Sequence, residues 1–224
     1  MTSQEALEID AIPEKLLVVG AGYIGVELGQ VYASLGARVT LVELMSDILP
    51  SADRDLVRFL KQRLKRQFEA IRTGTSVAEF SETDDGIHAA FEGEQAGEDT
   101  FDQVLIAVGR KPLAEGLGLE NTRIELDDGG FIPVDAQQKT RAPHVYAVGD
   151  VAGHPMLAHK ATHEGRVAAE VAAGQDAVSD ARAMPAVVFA DPEIAWCGLT
   201  ERQAEEQGRD IRVTRFPWAA SGGA

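Results

Sequence analysis

Apolar residues change their period from one segment of this chain to the next, and each change marks an element. Leu16-Leu-Val-Val19 is an unbroken apolar run, suited to a strand covered on both faces. Ile24, Leu28, Val31 and Leu35 then recur every three or four residues. That spacing predicts a helix burying this face, with Gly36 where a left-handed C-terminal cap is needed. Arg38–Val42 returns to strand character and ends at Glu43. Leu56, Leu60 and Leu64 place a second helix over Asp53 to Gln67, and short strands are expected at Glu69–Arg72 and Thr75–Phe80. Ile87, Ala89 and Phe91 alternate with His88 and Ala90 as a half-buried antiparallel strand does, and Phe101–Val108 reads as a central strand. Asp127-Asp-Gly-Gly130 marks a hairpin with Phe131–Val134 on its far side, and Val145–Val148 reads as a short buried strand. An alanine-rich helix follows from Ala158 to Ala173, closed by Gly174. After a polar linker at Gln175–Arg182, strands are expected at Ala186–Phe189 and Ile194–Gly198. A capping box, Thr200-Glu-Arg-Gln203, then opens a short helix, and a last strand is placed at Ile211–Phe216.

Composition narrows the class. The 224 residues suit one large or two small domains, and 45% hydrophobic content suffices for a packed core. A net charge of −15 argues against nucleic acid or an anionic membrane as partner, since both attract basic surfaces. No apolar run approaches the ~20 residues of a membrane-spanning helix. Met1–Asp10 has no signal-peptide core, so a cytoplasmic location is expected. Cys197 lies among the apolar residues Ile194–Gly198 and reads as a small buried hydrophobe, without a disulfide partner or companion thiolates.

The chemistry concentrates where the first strand meets the first helix. Gly20-Ala21-Gly22-Tyr23-Ile24-Gly25 has G-x-G-x-x-G spacing directly after an apolar run. The first glycine permits the tight turn, the second lets the backbone approach a pyrophosphate, and the third allows close helix–strand packing. Glu43 follows about 20 residues on, where a carboxylate accepts hydrogen bonds from an adenosine ribose and repels a 2′-phosphate. The unit therefore predicts an α/β, Rossmann-like βαβ domain that binds NAD rather than NADP. His159 and His163 are four apart on a helix, yet no glutamate follows His159 and no third ligand is evident, so no metal site is assigned. No Ser/His/Asp arrangement stands out, and no catalytic residue is assigned.

Four motifs then carry a resemblance to the pyridine nucleotide–disulfide oxidoreductases, most closely their dihydrolipoyl dehydrogenase branch. They are Gly20-Ala-Gly-Tyr-Ile-Gly-Val-Glu27, Ala107-Val-Gly-Arg-Lys-Pro112, Thr140 with Val145-Tyr-Ala-Val-Gly-Asp150, and Met156-Leu-Ala-His-Lys-Ala161 with Glu164-Gly165. Phe189-Ala-Asp-Pro-Glu-Ile-Ala-Trp196 is similar to the start of the family's dimer-interface domain. The Ala-His-Lys-Ala sequence points to the lipoamide branch.

The resemblance implies NAD and FAD as cofactors. Gly20 through Gly25 would hold the NAD pyrophosphate. Glu27 matches a glutamate near the nicotinamide, Glu43 would take the adenosine ribose, and Val77 would pack near the adenine. Ala107, Val108, Gly109 and Arg110 would line the dinucleotide from the opposite strand end. Asp150 matches the acid that binds the FAD ribityl chain, and Ala158 would donate backbone near the flavin. Three regions follow: an NAD-binding domain with an antiparallel meander over 1–133, a segment of an FAD-binding domain over 134–182, and the start of an α+β interface domain over 183–224. The resemblance also implies a homodimer and a lipoyl-bearing acyltransferase of a 2-oxo acid dehydrogenase complex as partners.

The family's first FAD-binding portion with its cysteine pair, and the histidine–glutamate pair of its interface domain, have no counterpart here. The chain alone is accordingly expected to be inactive on dihydrolipoamide. Two other readings stay open on sequence: a non-catalytic NAD-binding sensor or subunit-interaction module, and another disulfide reductase or NADH oxidase of the same fold.

Overall fold

The computed structural model describes residues 1–217 and divides into two compact units, one comprising residues 1–108 with 187 onward, the other Gly109–Ala186. The first unit is an α/β layer structure. Strands β1 (Lys15–Val19), β2 (Arg38–Val42), β3 (Ala70–Arg72) and β7 (Gln103–Ile106) form a parallel sheet in the order β3-β2-β1-β7. Helices α1 (Tyr23–Ser34) and α2 (Arg54–Gln67) connect its first strands. Between β3 and β7 runs an antiparallel meander of β4 (Thr75–Thr83), β5 (Gly86–Gly93) and β6 (Gly97–Phe101).

The continuous apolar run of β1 serves both faces of the sheet. Leu16 and Val18, with Val39 and Leu41 of β2, pack in one cluster with Val26 and Tyr32 of α1 and Val57, Leu60 and Leu64 of α2. Leu17 and Val42 pack in another with Ala89, Phe91, Phe101 and Val104. Each such buried aliphatic side chain stabilises the layers by about 1.5–3 kcal/mol.

The expected face of α1 is not the buried one. Gly25, Val26, Gly29, Gln30 and Tyr32 are buried, whereas Val31 and Leu35 are 44% and 51% exposed. The helix approaches so closely that a Cβ at Gly29 would stand 2.9 Å from Phe68 Cζ, so small residues must occupy the contact and the larger apolar ones turn outward.

The expected single strand Phe101–Val108 is two strands. Phe101 ends β6, and Asp102 turns the chain: its carboxylate accepts from Lys15 N at 2.7 Å and its own N–H donates to Lys15 O at 3.0 Å. β7 pairs with β1 alone among the described strands, so it is an edge strand rather than a central one.

In the second unit, Ala114, Ile124, Ile132 and Ala147 form the apolar centre, and α3 (Ala158–Ala172) is its one long helix among the described residues. The turn at Asp127 forms: its carboxylate accepts from the N–H groups of Gly129 and Phe131, both at 2.9 Å. The strands expected at Phe131–Val134 and Val145–Val148 do not; one bridge between Lys139 and Tyr146 is the ladder that this region makes. An apolar run needs a partner in register to become a strand, and here turns and side-chain bonds satisfy the backbone instead.

Toward the C-terminus, β8 (Pro185–Val188) and β9 (Ile194–Cys197) form a two-stranded sheet, and Val188, Ala190 and Ile194 join the core of the first unit. The Thr200–Gln203 capping box opens α4 (Glu201–Glu206) as expected. No strand forms over Ile211–Phe216, whose residues are exposed. Cys197 is also exposed, not buried. Gly223, which stands where the family resembled in sequence usually carries an arginine, lies outside the described residues.

Candidate functional site

The turn between β1 and α1 is built by the close approach of three backbones. Gly20 has φ +101° and donates its N–H to Val42 O at 2.8 Å, while Ala107 N donates to Val19 O at 2.7 Å. A Cβ at Gly20 would lie 2.5 Å from Ala107 O, and one at Gly25 would lie 2.0 Å from Gly20 O. A side chain at Gly20 would force the ends of β1 and β7 apart, and one at Gly25 would force α1 away from the sheet. Gly22 differs. It is the N-cap of α1 with φ −71°, no side chain caps the helix, and a Cβ there would meet nothing within 4 Å. The positive end of α1 therefore faces open space beside a position without a side chain, a geometry suited to an anion approaching peptide N–H groups. Ala21 is fully buried behind this turn, and Tyr23 and Ile24 are half-buried on the first helical turn.

Glu43 stands beside that turn. Its Oε2 accepts from Ala21 N at 2.7 Å and its Oε1 from Met45 N at 2.8 Å. Its own backbone donates to Arg72 O at 2.8 Å and accepts from Thr75 N at 3.0 Å. The carboxylate is thus aimed by two peptide groups at the mouth of the glycine turn, with lone pairs remaining for ligand hydroxyls. The Thr75 contact also sets the start of β4 next to Glu43. Val77 follows on that strand at a register shift, half-buried against the cluster of Leu17 and Val42.

The loop beyond Glu43 is stapled from α2. Arg54 donates to Ile48 O at 2.8 Å, to Ala52 O at 2.6 Å and to Leu49 O. Asp47 accepts from Lys61 Nζ at 2.7 Å, and Leu49 N in turn donates to Ala21 O at 2.9 Å. Burial raises the Asp47 carboxyl, but the Lys61 and Ile48 hydrogen bonds and the Lys61 and Arg54 charges outweigh it and hold the group below its ordinary value.

Glu27 lies one turn into α1 and accepts from Phe189 N at 2.8 Å. Ala107 is half-buried at the end of β7, and Val108 is 72% exposed.

The remaining candidates fall in the second unit. Gly109 and Arg110 are exposed, and the Arg110 guanidinium pairs with the Asp150 carboxylate and donates to Met156 O at 3.0 Å. Asp150 sits on a 3₁₀ turn, Gly149–Ala152, and Ala158 is the exposed first residue of α3.

Two residues that sequence reasoning treated only as family markers stand out here. Lys160 and Glu164 are buried and form an i,i+4 ion pair at 2.9 Å. The signal in the sequence was a pair of opposite charges four apart on an alanine-rich helix, a pattern that normally reads as a solvated face. His159 Nε2 lies 2.6 Å from Pro185 O, and no group of three or more His, Cys, Asp or Glu is clustered among the described residues. No described helix is long and apolar enough to cross a membrane.

Residues 1–165 match the profile of the pyridine nucleotide-disulphide oxidoreductases, and residues 184–224 match that of the family's dimerisation domain. The chain belongs to the pyridine nucleotide-disulphide oxidoreductase family. Within it, the chain is similar to the dihydrolipoyl dehydrogenase of Thermus scotoductus, 47% identical over 226 residues that cover 99% of this chain and 49% of the relative. It is likewise similar to the dihydrolipoyl dehydrogenase of Vibrio parahaemolyticus, 43% identical and covering 99% and 47%. Among solved structures, the HOCl-induced flavoprotein disulfide reductase of Escherichia coli superposes with a TM-score of 0.85 at 31% identity, covering 98% of this chain and 50% of that one. The chain spans about half the length of the curated relatives it matches.

Proposed function

We propose that this chain is the nicotinamide-nucleotide side of an NAD-dependent dihydrolipoyl dehydrogenase, the enzyme that oxidises dihydrolipoamide to lipoamide and reduces NAD⁺ to NADH. One observation carries the reading: the Glu43 carboxylate is aimed by two peptide N–H groups beside a glycine turn that is open at Gly22. In this assignment Gly20, Ala21, Gly22, Tyr23, Ile24 and Gly25 receive the NAD pyrophosphate at the positive end of α1. Glu43 accepts the adenosine ribose hydroxyls, and a 2′-phosphate there would set two anions against each other. Val77 packs near the adenine, Ala107, Val108, Gly109 and Arg110 line the dinucleotide, and Glu27 lies toward the nicotinamide. Asp150 and Ala158 would hold FAD. The acid of Asp150 and the open helix start at Ala158 fit a ribityl hydroxyl donor and a polar ring edge respectively. FAD, when bound, supplies two-electron transfer between dithiol and nicotinamide. No residue of this chain is assigned to the dithiol chemistry.

The same reading divides the chain into an NAD-binding domain (1–133), an FAD-domain segment (134–182) and the start of an interface domain (183–224). It places the protein in the cytoplasm as a homodimer that serves a lipoyl-bearing acyltransferase of a 2-oxo acid dehydrogenase complex. Another disulfide reductase of the same fold is the second reading, favoured by the structural likeness. The higher identity to dihydrolipoyl dehydrogenases supports the first.

Titration calorimetry with NAD⁺ and NADP⁺ tests the site. NAD⁺ is expected to bind in clear preference to NADP⁺, and Glu43→Ala is expected to weaken NAD⁺ and erase the preference. Equal binding of both nucleotides by the unsubstituted chain, or an unchanged NAD⁺ affinity in Glu43→Ala, would overturn it.

A further inference from the structure

We propose that Lys160 and Glu164 are positioning residues for the flavin: the buried pair fixes the turn at Gly149–Gly153 and thereby aims the Asp150 carboxylate. This rests on the flavin role proposed above for Asp150.

The pair is enclosed, with Lys160 6% and Glu164 8% exposed. Burying two charges carries a large desolvation penalty, which only full hydrogen bonding offsets. Here it is full for the ammonium. Lys160 Nζ donates to Gly149 O at 3.1 Å, to Gly153 O at 3.1 Å and to Glu164, so its three donors meet three acceptors. Glu164 Oε2 also accepts from Gly149 N at 2.7 Å. Both ends of the turn are therefore tied to one face of α3, and the turn packs so tightly on that face that a Cβ at Gly149 would lie 2.8 Å from Ala161 Cβ.

No strand ladder holds this stretch of backbone, as the single bridge at Lys139 and Tyr146 lies before it. Apart from Ile132 N, which donates to Val151 O at 2.8 Å, the ion pair supplies the anchoring instead. Asp150 is the acid of the clamped turn, and its side chain is 36% exposed and paired with Arg110. An apolar pair at 160 and 164 could fill the space but could not satisfy the Gly149 and Gly153 carbonyls. The charges are retained for what they orient.

The test separates holding the fold from aiming Asp150. Lys160→Met alone strands a buried carboxylate and can unfold the unit, so the informative variant is Lys160→Met/Glu164→Leu, which removes both charges. Hydrogen exchange is read at Gly149 on the full chain, with melting temperature alongside. Flavin release from the FAD-loaded holoenzyme is read as the flavin that passes a desalting filter over time in dilute urea. The expected result is a cooperative melt lowered by several degrees, because the Gly149 N–H and the Gly149 and Gly153 carbonyls lose their partners, with Gly149 exchange and flavin release each faster by about tenfold, the loss of one charge-assisted contact. In an Asp150→Ala background the same double substitution is expected to change release by less than about twofold, because the two act as one. Unchanged exchange at Gly149 would overturn the clamp. Faster exchange with unaltered flavin release, or equal acceleration of release in both backgrounds, would overturn the aiming of Asp150. Asp150→Ala alone releasing flavin at the parent rate would instead sink the flavin reading of this turn, and the positioning role with it, while leaving the exchange result standing.

Discussion

Substituting the second and third glycines of the turn separates folding from binding. At Gly25 an alanine Cβ would stand 2.0 Å from Gly20 O and 3.2 Å from Val18 Cγ1, so α1 must shift outward or tilt. Overpacking of this kind costs about 1–3 kcal/mol. At roughly 2–4 °C per kcal/mol for a protein of this size, melting falls by about 2–12 °C. At Gly22 the backbone already lies at φ −71°, which alanine adopts freely, and the Cβ meets no protein atom within 4 Å. The fold should then change by less than about 1 kcal/mol, the ordinary cost of alanine at an N-cap. The new methyl does, however, occupy the approach to the peptide N–H groups. Hydrogen bonds to a charged group contribute about 1.5–3 kcal/mol each, so losing even one weakens NAD⁺ by about tenfold or more. Calorimetry with NAD⁺ and thermal melts of both variants provide the readout. Gly22→Ala binding NAD⁺ as tightly as the parent would refute the reasoning, as would Gly25→Ala melting at the parent temperature.

Three further outcomes follow from the geometry. Because the Asp47 carboxyl is held below its ordinary value of 3.8, its stabilising effect is complete above that value and disappears as pH falls through the lower, folded value. The difference in urea midpoint between the parent and Asp47→Asn should therefore be constant above about pH 5 and shrink under more acid conditions; a gap independent of pH counts against the Lys61 and Arg54 staple. Amide exchange should be slowest in Leu16–Val19 and Val39–Val42 and fast across 131–148, where ladder bonds are few; the reverse order would contradict the fold of the two units. Exposed Cys197 should react with one equivalent of a thiol reagent without denaturant, and a native chain that resists the reagent would show the thiol to be covered.

The βαβ unit was legible because its determinants are local. Turn glycines, a continuous apolar run and an acid at a strand end lie within a few dozen residues, and each has one mechanical role. Where the sequence misled, distant contacts decided. Periodicity weighted Val31 and Leu35 as the buried face of α1, but the sheet and Phe68 come so near that only Gly25 and Gly29 fit. Apolar runs at Phe131–Val134 and Val145–Val148 resembled strands, and pairing in register, which no single segment encodes, was missing. Cys197 was readable after all. Alternation along β9 sends Ile194 inward and Ala195 and Cys197 outward, a period-two argument that its apolar neighbours concealed. Of the candidate site, Glu43 could be placed from spacing alone. The Lys160–Glu164 pair could not, because its partners are carbonyls eleven and seven residues upstream of Lys160.

Glu43 ties four segments together: its peptide joins the ends of β3 and β4, and its carboxylate joins the glycine turn and the loop at Met45. Exchanging this acid for a neutral or basic residue unties that junction. A Gln here turns an NH₂ toward one of two N–H donors, and an Ala leaves both without their acceptor. On the proposed reading, conversion to the phosphorylated nucleotide calls for redesign of the Ala21 and Met45 backbone together with position 43, because a single exchange there removes the preference for NAD⁺ and loosens the junction at once.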